Sequence, residues 1–436
     1  LPMTTEMREP LGLKMYRALS RVAEPVAAFT LDRRLKAGKE DAERIGERKG
    51  KAERERPQGF LIWIHGASVG ESLSVLPLVD QLKAERPDAI FLVTTGTVSS
   101  ARLLEERLPE RAFHQFIPLD HPHYVTDFLE HWRPDAAIFV ESEFWPNLIL
   151  KARSSIPFMA LVNGRISPGS YDDWKRQPNA IKYILSAFDV IIAQDQQNAE
   201  RLSHLSGQPI KSLGNLKYAA PPLPADEKLI SDIASQIGAR RRWLAASTHP
   251  GEEQQLLSAA KLLKSSFPDL LTIIAPRHPD RGADIEGMAN SVGLKTARRE
   301  NNDKIASETD IYIADTLGEL GIFYRLCDVS FVGGSLTEKG GHNPLEPARL
   351  GAAILHGPHV FNFVETYAEM RKAGGAALTR NEREIATATR RLFADQKTRQ
   401  AMTAAAKSCA EENAARILAD VCAALSPMLA THEKNS

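Results

Sequence analysis

Beyond residue 60 the chain alternates short, almost wholly apolar runs with longer stretches in which apolar residues recur every three to four positions. Such runs, rich in Ile, Val and Phe and bounded by Gly, Pro, Asn or Asp, read as strands, and the stretches between them as helices. The pattern predicts strands at Phe60–His65, Ile90–Thr94, Phe113–Ile117, Ala136–Val140, Phe158–Val162, Val190–Ala193 and Ile210–Leu213. Strands with no polar alternation are buried on both faces, which implies a parallel sheet covered by helices on each side. Three prolines between Tyr218 and Pro224 then interrupt regular structure. After them the alternation restarts, with strands predicted at Trp243–Ser247, Leu271–Ala275, Ile311–Ala314, Val329–Val332 and Ala353–His356, and helices around Glu252–Ser265, Gly318–Leu326 and Glu382–Phe393. The expected organisation is an N-terminal charged segment (1–56), an α/β domain (57–218), a linker (219–226), a second α/β domain (227–400) and a helical end (401–436) that packs back on the first domain. Two such halves suggest a cleft between them, with ligands gathering at the carboxyl ends of the strands.

The pattern before residue 60 is different. Residues 11 to 31 mix apolar positions with Lys14, Arg17 and Arg21, and Arg33, Arg34, Lys36 and Lys39 follow. Two readings are open: an amphipathic helix lying on an anionic membrane surface, or a helix docked on its own domain. From Lys36 to Arg56 large apolar residues are nearly absent, so a solvated helix or a mobile link is expected.

Composition narrows the functional classes. A chain of 436 residues, 43% hydrophobic and 25% charged, is globular and long enough for two cores. With 55 basic and 55 acidic side chains the net charge is zero, so no nucleic-acid partner is expected. The three cysteines, Cys327, Cys409 and Cys422, have neither disulfide-framework nor metal-type spacing, which fits a reducing compartment and no metal site. No apolar run is long enough to span a bilayer.

The stretch with the most evident chemistry is Gly333 to Pro347, a glycine-rich loop following a predicted strand. Its glycines let backbone approach a ligand, and Asn343-Pro344 is a helix-start pair, so free N–H groups are expected to face an anion such as phosphate; a plain turn with Glu346 in a capping arrangement is the alternative. His65-Gly66-Ala67-Ser68-Val69-Gly70-Glu71 follows the first strand of the first domain. Glu71 there is either a general base or the carboxylate of a capping box with Ser68. Glu141 and Glu143 follow the fourth strand, and like charges so close require a partner or water. Arg165, after Asn163-Gly164, is a candidate for that partner or for an anionic substrate. Lys217 is a candidate point charge for phosphate. In the second domain, Ser247–Glu252 ends a strand with polar groups, Arg277 with His278 forms a cationic pair suited to a nucleotide phosphate, and Thr316-Leu317-Gly318-Glu319 reads as a capping box opening a helix. No GxxxxGK[ST] loop, GxGxxG after the first strand, GxSxG elbow or HExxH pair is present.

Taken in order, HGASVGE (65–71), ESEFWPNLI (141–149), NGRIS (163–167), GNLK (214–217), APRHP (275–279), GELG (318–321) and GGHNPLEP (340–347) closely resemble the 3-deoxy-D-manno-octulosonic acid (Kdo) transferases of lipopolysaccharide synthesis. The resemblance implies the GT-B fold of two Rossmann-like domains, and inverting transfer of Kdo from CMP-Kdo to a lipid A precursor. It implies Glu71 as catalytic base. Arg277, His278 and the Gly340, Gly341, His342, Asn343 loop would hold the CMP phosphate, Glu346 the ribose, and Lys217 a further donor contact. Ser68, Glu141, Glu143 and Arg165 fall on the acceptor or support side. No cofactor is implied, and the expected location is the cytoplasmic face of a bacterial inner membrane, by peripheral attachment to its anionic surface. Alternatives are another GT-B enzyme using a UDP-sugar, or a non-catalytic nucleotide-binding protein. Leu73, Val75 and Leu76 beside Glu71 read either as an acyl-chain contact or as the core face of a helix.

Overall fold

The computed structural model describes residues 8–66, 69–141 and 144–429. Seven strands form the first sheet: Leu61–His65 (β1), Ile90–Thr95 (β2), Ala112–Phe116 (β3), Ala136–Val140 (β4), Phe158–Gly164 (β5), Val190–Ala193 (β6) and Lys211–Ser212 (β7). All pair in parallel in the order β3-β2-β1-β4-β5-β6-β7, with Ile62 opposite Phe91 and Ile64 opposite Ile138. β1 is buried at every position because both faces are covered. Trp63 packs against Phe128 and Phe139 on one face. Ile62 and Ile64 face the other, with Val75, Val79 and the end of the last helix, where Ile417, Val421, Leu425 and Met428 complete the core.

The second sheet holds Arg242–Thr248 (β8), Leu271–Pro276 (β9), Thr296–Arg298 (β10), Ile311–Ile313 (β11), Val329–Val332 (β12), Ala353–His356 (β13) and Ala376–Leu378 (β14), again all parallel, in the order β10-β11-β9-β8-β12-β13-β14. β10 and β14, which the apolar pattern does not reveal, are three-residue strands at the two edges. At that length a run shows neither alternation nor a sustained apolar stretch.

The chain divides into two compact units, one holding everything up to Pro221 together with the stretch from Ala414 onward, the other Pro222–Asn413. The helix Gln396–Leu429 runs through that division. Its first part buries Met402, Ala406 and Ala410 and its last part belongs to the N-terminal core.

Two N-terminal expectations change. Residues 11–31 form not one helix but two, Leu11–Val22 and Glu24–Lys36, separated at Ala23 because Pro25 lacks the N–H that a continuous helix needs. They dock through Leu13 and Leu31, while Leu11, Met15, Leu19, Val22, Val26 and Phe29 stay exposed. The stretch after Lys36 is no loose link. Arg48 is buried with Glu40 beside it, and Glu47 accepts from the Phe116 N–H at 2.6 Å while pairing with Arg44 at 2.9 Å.

Candidate active site

In an open parallel sheet, ligands gather at the carboxyl ends of the strands where the order reverses direction. In the N-terminal unit that point lies between β1 and β4, and in the C-terminal unit between β8 and β12. Glu71 and Glu141 follow the first pair of strands; Ser247–Glu252 and Gly333–Asn343 follow the second.

Glu71 lies in the first turn of the helix Val69–Glu85 and is 8% exposed. A side chain at Gly66 would put its Cβ 3.3 Å from the Glu71 Cβ, so the glycine makes room for the close approach of the helix's first turn. Ser74 Oγ donates to the Glu71 carbonyl at 2.7 Å. Val75 and Leu76 are buried in the core, which makes them its packing face rather than an acyl-chain contact. Ser68 and Glu143 lie outside the described residues, so the capping box with Ser68 does too. His65 closes β1, fully buried, with Nδ1 3.0 Å from Thr94 Oγ1. Burial pushes its pKa down to about 4, keeping the ring neutral.

Glu141, with φ +63°, is buried and ion-paired with Lys217 at 2.5 Å, the ammonium off the hydrogen-bonding direction of Oε1. Lys217 therefore belongs to the N-terminal unit and has a carboxylate partner. Asn163, φ +54°, accepts from the Leu216 N–H at 2.9 Å, which ties the end of β5 to the turn that presents Lys217. Arg165 is exposed and borders a hollow of about 300 Å³.

The C-terminal unit corrects one expectation sharply. The N–H groups of Gly334, Ser335 and Leu336, expected to face a phosphate, donate at 2.7, 2.9 and 2.8 Å to the carboxylate of Glu252, which also accepts from the His249 N–H at 2.9 Å. Burial pushes the Glu252 carboxyl above the usual range, opposed by those four donors. Gly341 and His342 donate their N–H groups to the carbonyls of Gly334 and Gly333 at 2.7 and 3.1 Å. The loop is thus an anion nest filled by the protein's own carboxylate and closed on itself. The short distance from Gly333 to the Ser247 carbonyl, 2.5 Å from an added Cβ, leaves room for no other residue there.

What the loop does present is side chains. His342 Nε2 lies 2.9 Å from His249 Nε2 with the rings stacked at 5.1 Å, and His278 stands edge-on to His249 at 5.8 Å. Burial, with His249, Arg277 and His278 nearby, pushes His342 down to about 4. Asn343, one residue ahead of the Pro344 cap of the short helix Leu345–Arg349, accepts from the Leu345 N–H at 3.0 Å, and its amide donates to Glu346 at 3.4 Å. Burial lifts the Glu346 carboxyl to about 7, opposed by Asn343 and Arg277. Arg277 is exposed, its N–H held by the Thr248 carbonyl at 3.0 Å, and it lines a small cavity with Ser247, Thr316, Leu317 and Phe323. The expected capping box at Thr316–Glu319 is not formed. Both Glu319 oxygens bond Arg299 at 2.9 Å and the Thr316 hydroxyl donates to Oε2, so the helix begins only at Leu320. Among the described residues no group of three or more His, Cys, Asp or Glu is arranged to hold a metal ion. His249 and Glu252 stood out in the sequence only as polar groups ending a strand, since the partners that give them their roles lie 82 to 93 residues away along the chain.

The profile of the family described as "3-Deoxy-D-manno-octulosonic-acid transferase (kdotransferase)" matches residues 43–220. A 3-deoxy-D-manno-octulosonic acid transferase from Rickettsia bellii is 36% identical over 346 residues, 79% of this chain and 82% of the relative. The chain belongs to the 3-deoxy-D-manno-octulosonic acid transferase family. The enzyme of that name from Haemophilus influenzae is 34% identical over 71% of this chain and 73% of its own. As a Kdo transferase, this protein is a glycosyltransferase whose transferred sugar is Kdo, the chemistry of lipopolysaccharide synthesis. Its two parallel seven-stranded sheets are those of the GT-B fold. A solved glycosyltransferase from Rickettsia africae shares that fold with a TM-score of 0.59 at 11% identity, covering 87% of this chain and 100% of that one.

Proposed function

We propose that this Kdo transferase takes Kdo from CMP-Kdo and joins it, with inversion at the anomeric carbon, to a hydroxyl of a lipid A precursor. The observation that carries the reading is a division of chemistry between the two sheets. A buried carboxylate, Glu71, follows the switch point of one, and in the other His249 and His342 follow the strands of the switch point while Arg277 and His278 follow β9 beside it.

In the reaction the acceptor oxygen attacks the anomeric carbon as the bond from that carbon to the CMP phosphate breaks. Glu71 takes the proton from the acceptor hydroxyl. The electron pair of the broken bond leaves on CMP, where Arg277 and His278 offset the growing negative charge. His342 and Asn343, presented by the Gly340-Gly341 turn, complete the phosphate contacts. Glu346 meets the ribose hydroxyls, with its raised pKa letting it donate as well as accept near neutral pH. Lys217 and Glu141 act as a pair on the N-terminal side.

Attachment to the cytoplasmic face of the inner membrane is supported by the exposed apolar residues of the two N-terminal helices, Leu11 to Phe29, with Lys14, Arg21, Arg33 and Arg34 on the same helices. No described helix is long and apolar enough to cross a membrane. A thermal-shift comparison of nucleotides tests the donor assignment. CMP is expected to raise the unfolding midpoint more than UDP at equal concentration; a larger shift with UDP overturns the assignment.

A further inference from the structure

A groove of about 710 Å³ lies wholly in the C-terminal unit, and none of the residues assigned to the reaction lines it. Its floor is Leu355 of β13 with Ala377 and Leu378 of the edge strand β14. One wall is the helix Glu382–Ala394, through Thr387, Ala388 and Leu392; the other is the start of the helix Gln396–Leu429, through Thr398, Ala401 and Met402. Ala377, Ala388 and Ala401 are short where larger side chains would fill the space. A trough therefore remains between the two helices.

The frame around this trough is fixed. Asn381 caps the first helix, accepting from the N–H groups of Arg383 and Glu384 at 3.1 and 3.0 Å, and Asp395 opens the second, accepting from the Thr398 N–H at 2.9 Å. At Gly375, beside the groove, an added Cβ would lie 2.6 Å from the Ala406 nitrogen, so the second helix rests directly on the backbone there.

The rim carries charge of one sign. From Arg371 to Arg399 there are eight basic and three acidic residues, in a chain that is neutral as a whole. Of the acidic ones, Glu384 accepts from the Arg380 N–H at 2.9 Å and from its guanidinium at 3.3 Å, and Asp395 serves as a cap. Arg380 and Arg399 are ion-paired, at 3.3 and 3.4 Å, whereas Arg383 and Arg391, exposed on the groove, have no ion-pair partner among the described residues. Eight residues apart on one helix, they stand about 12 Å from each other along its length.

We propose that this groove binds a fatty acid, with the acyl chain between the two helices and the carboxylate on Arg383 or Arg391. Leu355, Leu378, Leu392 and Met402 offer the chain an aliphatic bed whose burial drives binding. A guanidinium receives a carboxylate through two parallel N–H···O bonds and is weakly hydrated, so it suits the margin of an apolar trough. The volume takes one long chain.

Calorimetric titration of the full chain with dodecanoate, below its micelle-forming concentration, tests the site. One equivalent is expected to bind, with affinity rising roughly threefold for each CH₂ from octanoate to dodecanoate. Arg383→Gln combined with Arg391→Gln is expected to weaken dodecanoate binding roughly tenfold or more, and Ala388→Phe, which fills the trough, to abolish it; both variants are expected to keep the wild-type thermal midpoint. Dodecyltrimethylammonium, with the same chain and the opposite charge, is expected not to displace dodecanoate. Leu19→Asp combined with Phe29→Asp, on the exposed N-terminal stripe, is expected to bind dodecanoate as the wild type does. Absence of saturable binding, full affinity in the double arginine variant, or loss of binding in the N-terminal variant overturns the proposal. Should Ala388→Phe fail to fold, the double arginine variant, altered only at exposed positions, decides alone.

Discussion

Glu252 illustrates what a single residue can hide from a sequence reading. The glycine-rich loop was legible as an anion site, and an anion does sit there, but it is a carboxylate from the turn after β8. Nothing in the local pattern announces a partner 82 residues away. Glu71, Arg277, His278 and His342, the residues proposed for the site, each stand in or beside a strand-end motif; His249 stood out only as one of the polar groups ending β8, and its stacking on His342 was not readable from the sequence. Lys217 looked like a free cation until its turn brought it to Glu141. The nest makes a testable claim. Glu252→Gln replaces an acceptor-only group with one carrying two donors aimed at N–H groups. The variant is expected to lose about 1–3 kcal/mol of stability and to bind CMP more weakly, since Glu252 ties the His249 N–H to the loop. Chemical denaturation and a CMP titration check this, and unchanged values in both would remove Glu252 from the site's support.

At the scale of elements, the long central strands were legible because burial on both faces leaves an uninterrupted apolar run, as in β1, β4 and β12. The edge strands β10 and β14 were not, being stabilised by pairing with a neighbour rather than by their own side chains. The N-terminal helices were legible as amphipathic, but which face docks was decided by tertiary contacts of Leu13, Leu31 and Ser20. The remaining apolar stripe is 63% exposed at Leu19 and 68% at Phe29. The full chain is expected to float with vesicles containing anionic phospholipid, less strongly as salt is raised, and the double variant Leu19→Asp, Phe29→Asp to stay behind. Flotation of the double variant at the wild-type level would contradict attachment through this stripe.

For the whole molecule, the balance of 55 basic and 55 acidic groups conceals a strong asymmetry in how buried groups titrate. Burial holds His65, His342 and His356 down to about 4 and His114 to about 3. Each folded value lies below the unfolded one near 6.5, so the unfolded chain binds more protons in that window and stability is lost as pH falls through it. Glu346, lifted to about 7, acts oppositely, its contribution fading as pH rises from about 4.5. With five imidazoles lowered, His249 among them, against three raised carboxyls, Glu346, Glu252 and Asp120, the thermal midpoint is expected to drop between pH 6.5 and pH 4.5; a flat profile would mean these rings are solvated. The two α/β units were legible from the restart of alternation after the proline-rich stretch. The return of the last helix to the first domain was expected from the sequence; that its first part also closes the second core was not, because its alanines carry no sign of which core they meet. The proposed reaction draws on both units, with the base on the first and the donor site on the second. Mass spectrometry of the product formed from CMP-Kdo and a tetraacylated lipid A precursor tests it most directly. The wild type is expected to yield acceptor heavier by whole Kdo residues with CMP released. Glu71→Gln is expected to keep its CMP-induced stabilisation and to turn over about 10²–10⁴-fold more slowly. No Kdo-bearing product from the wild type, or wild-type turnover by Glu71→Gln, would contradict it.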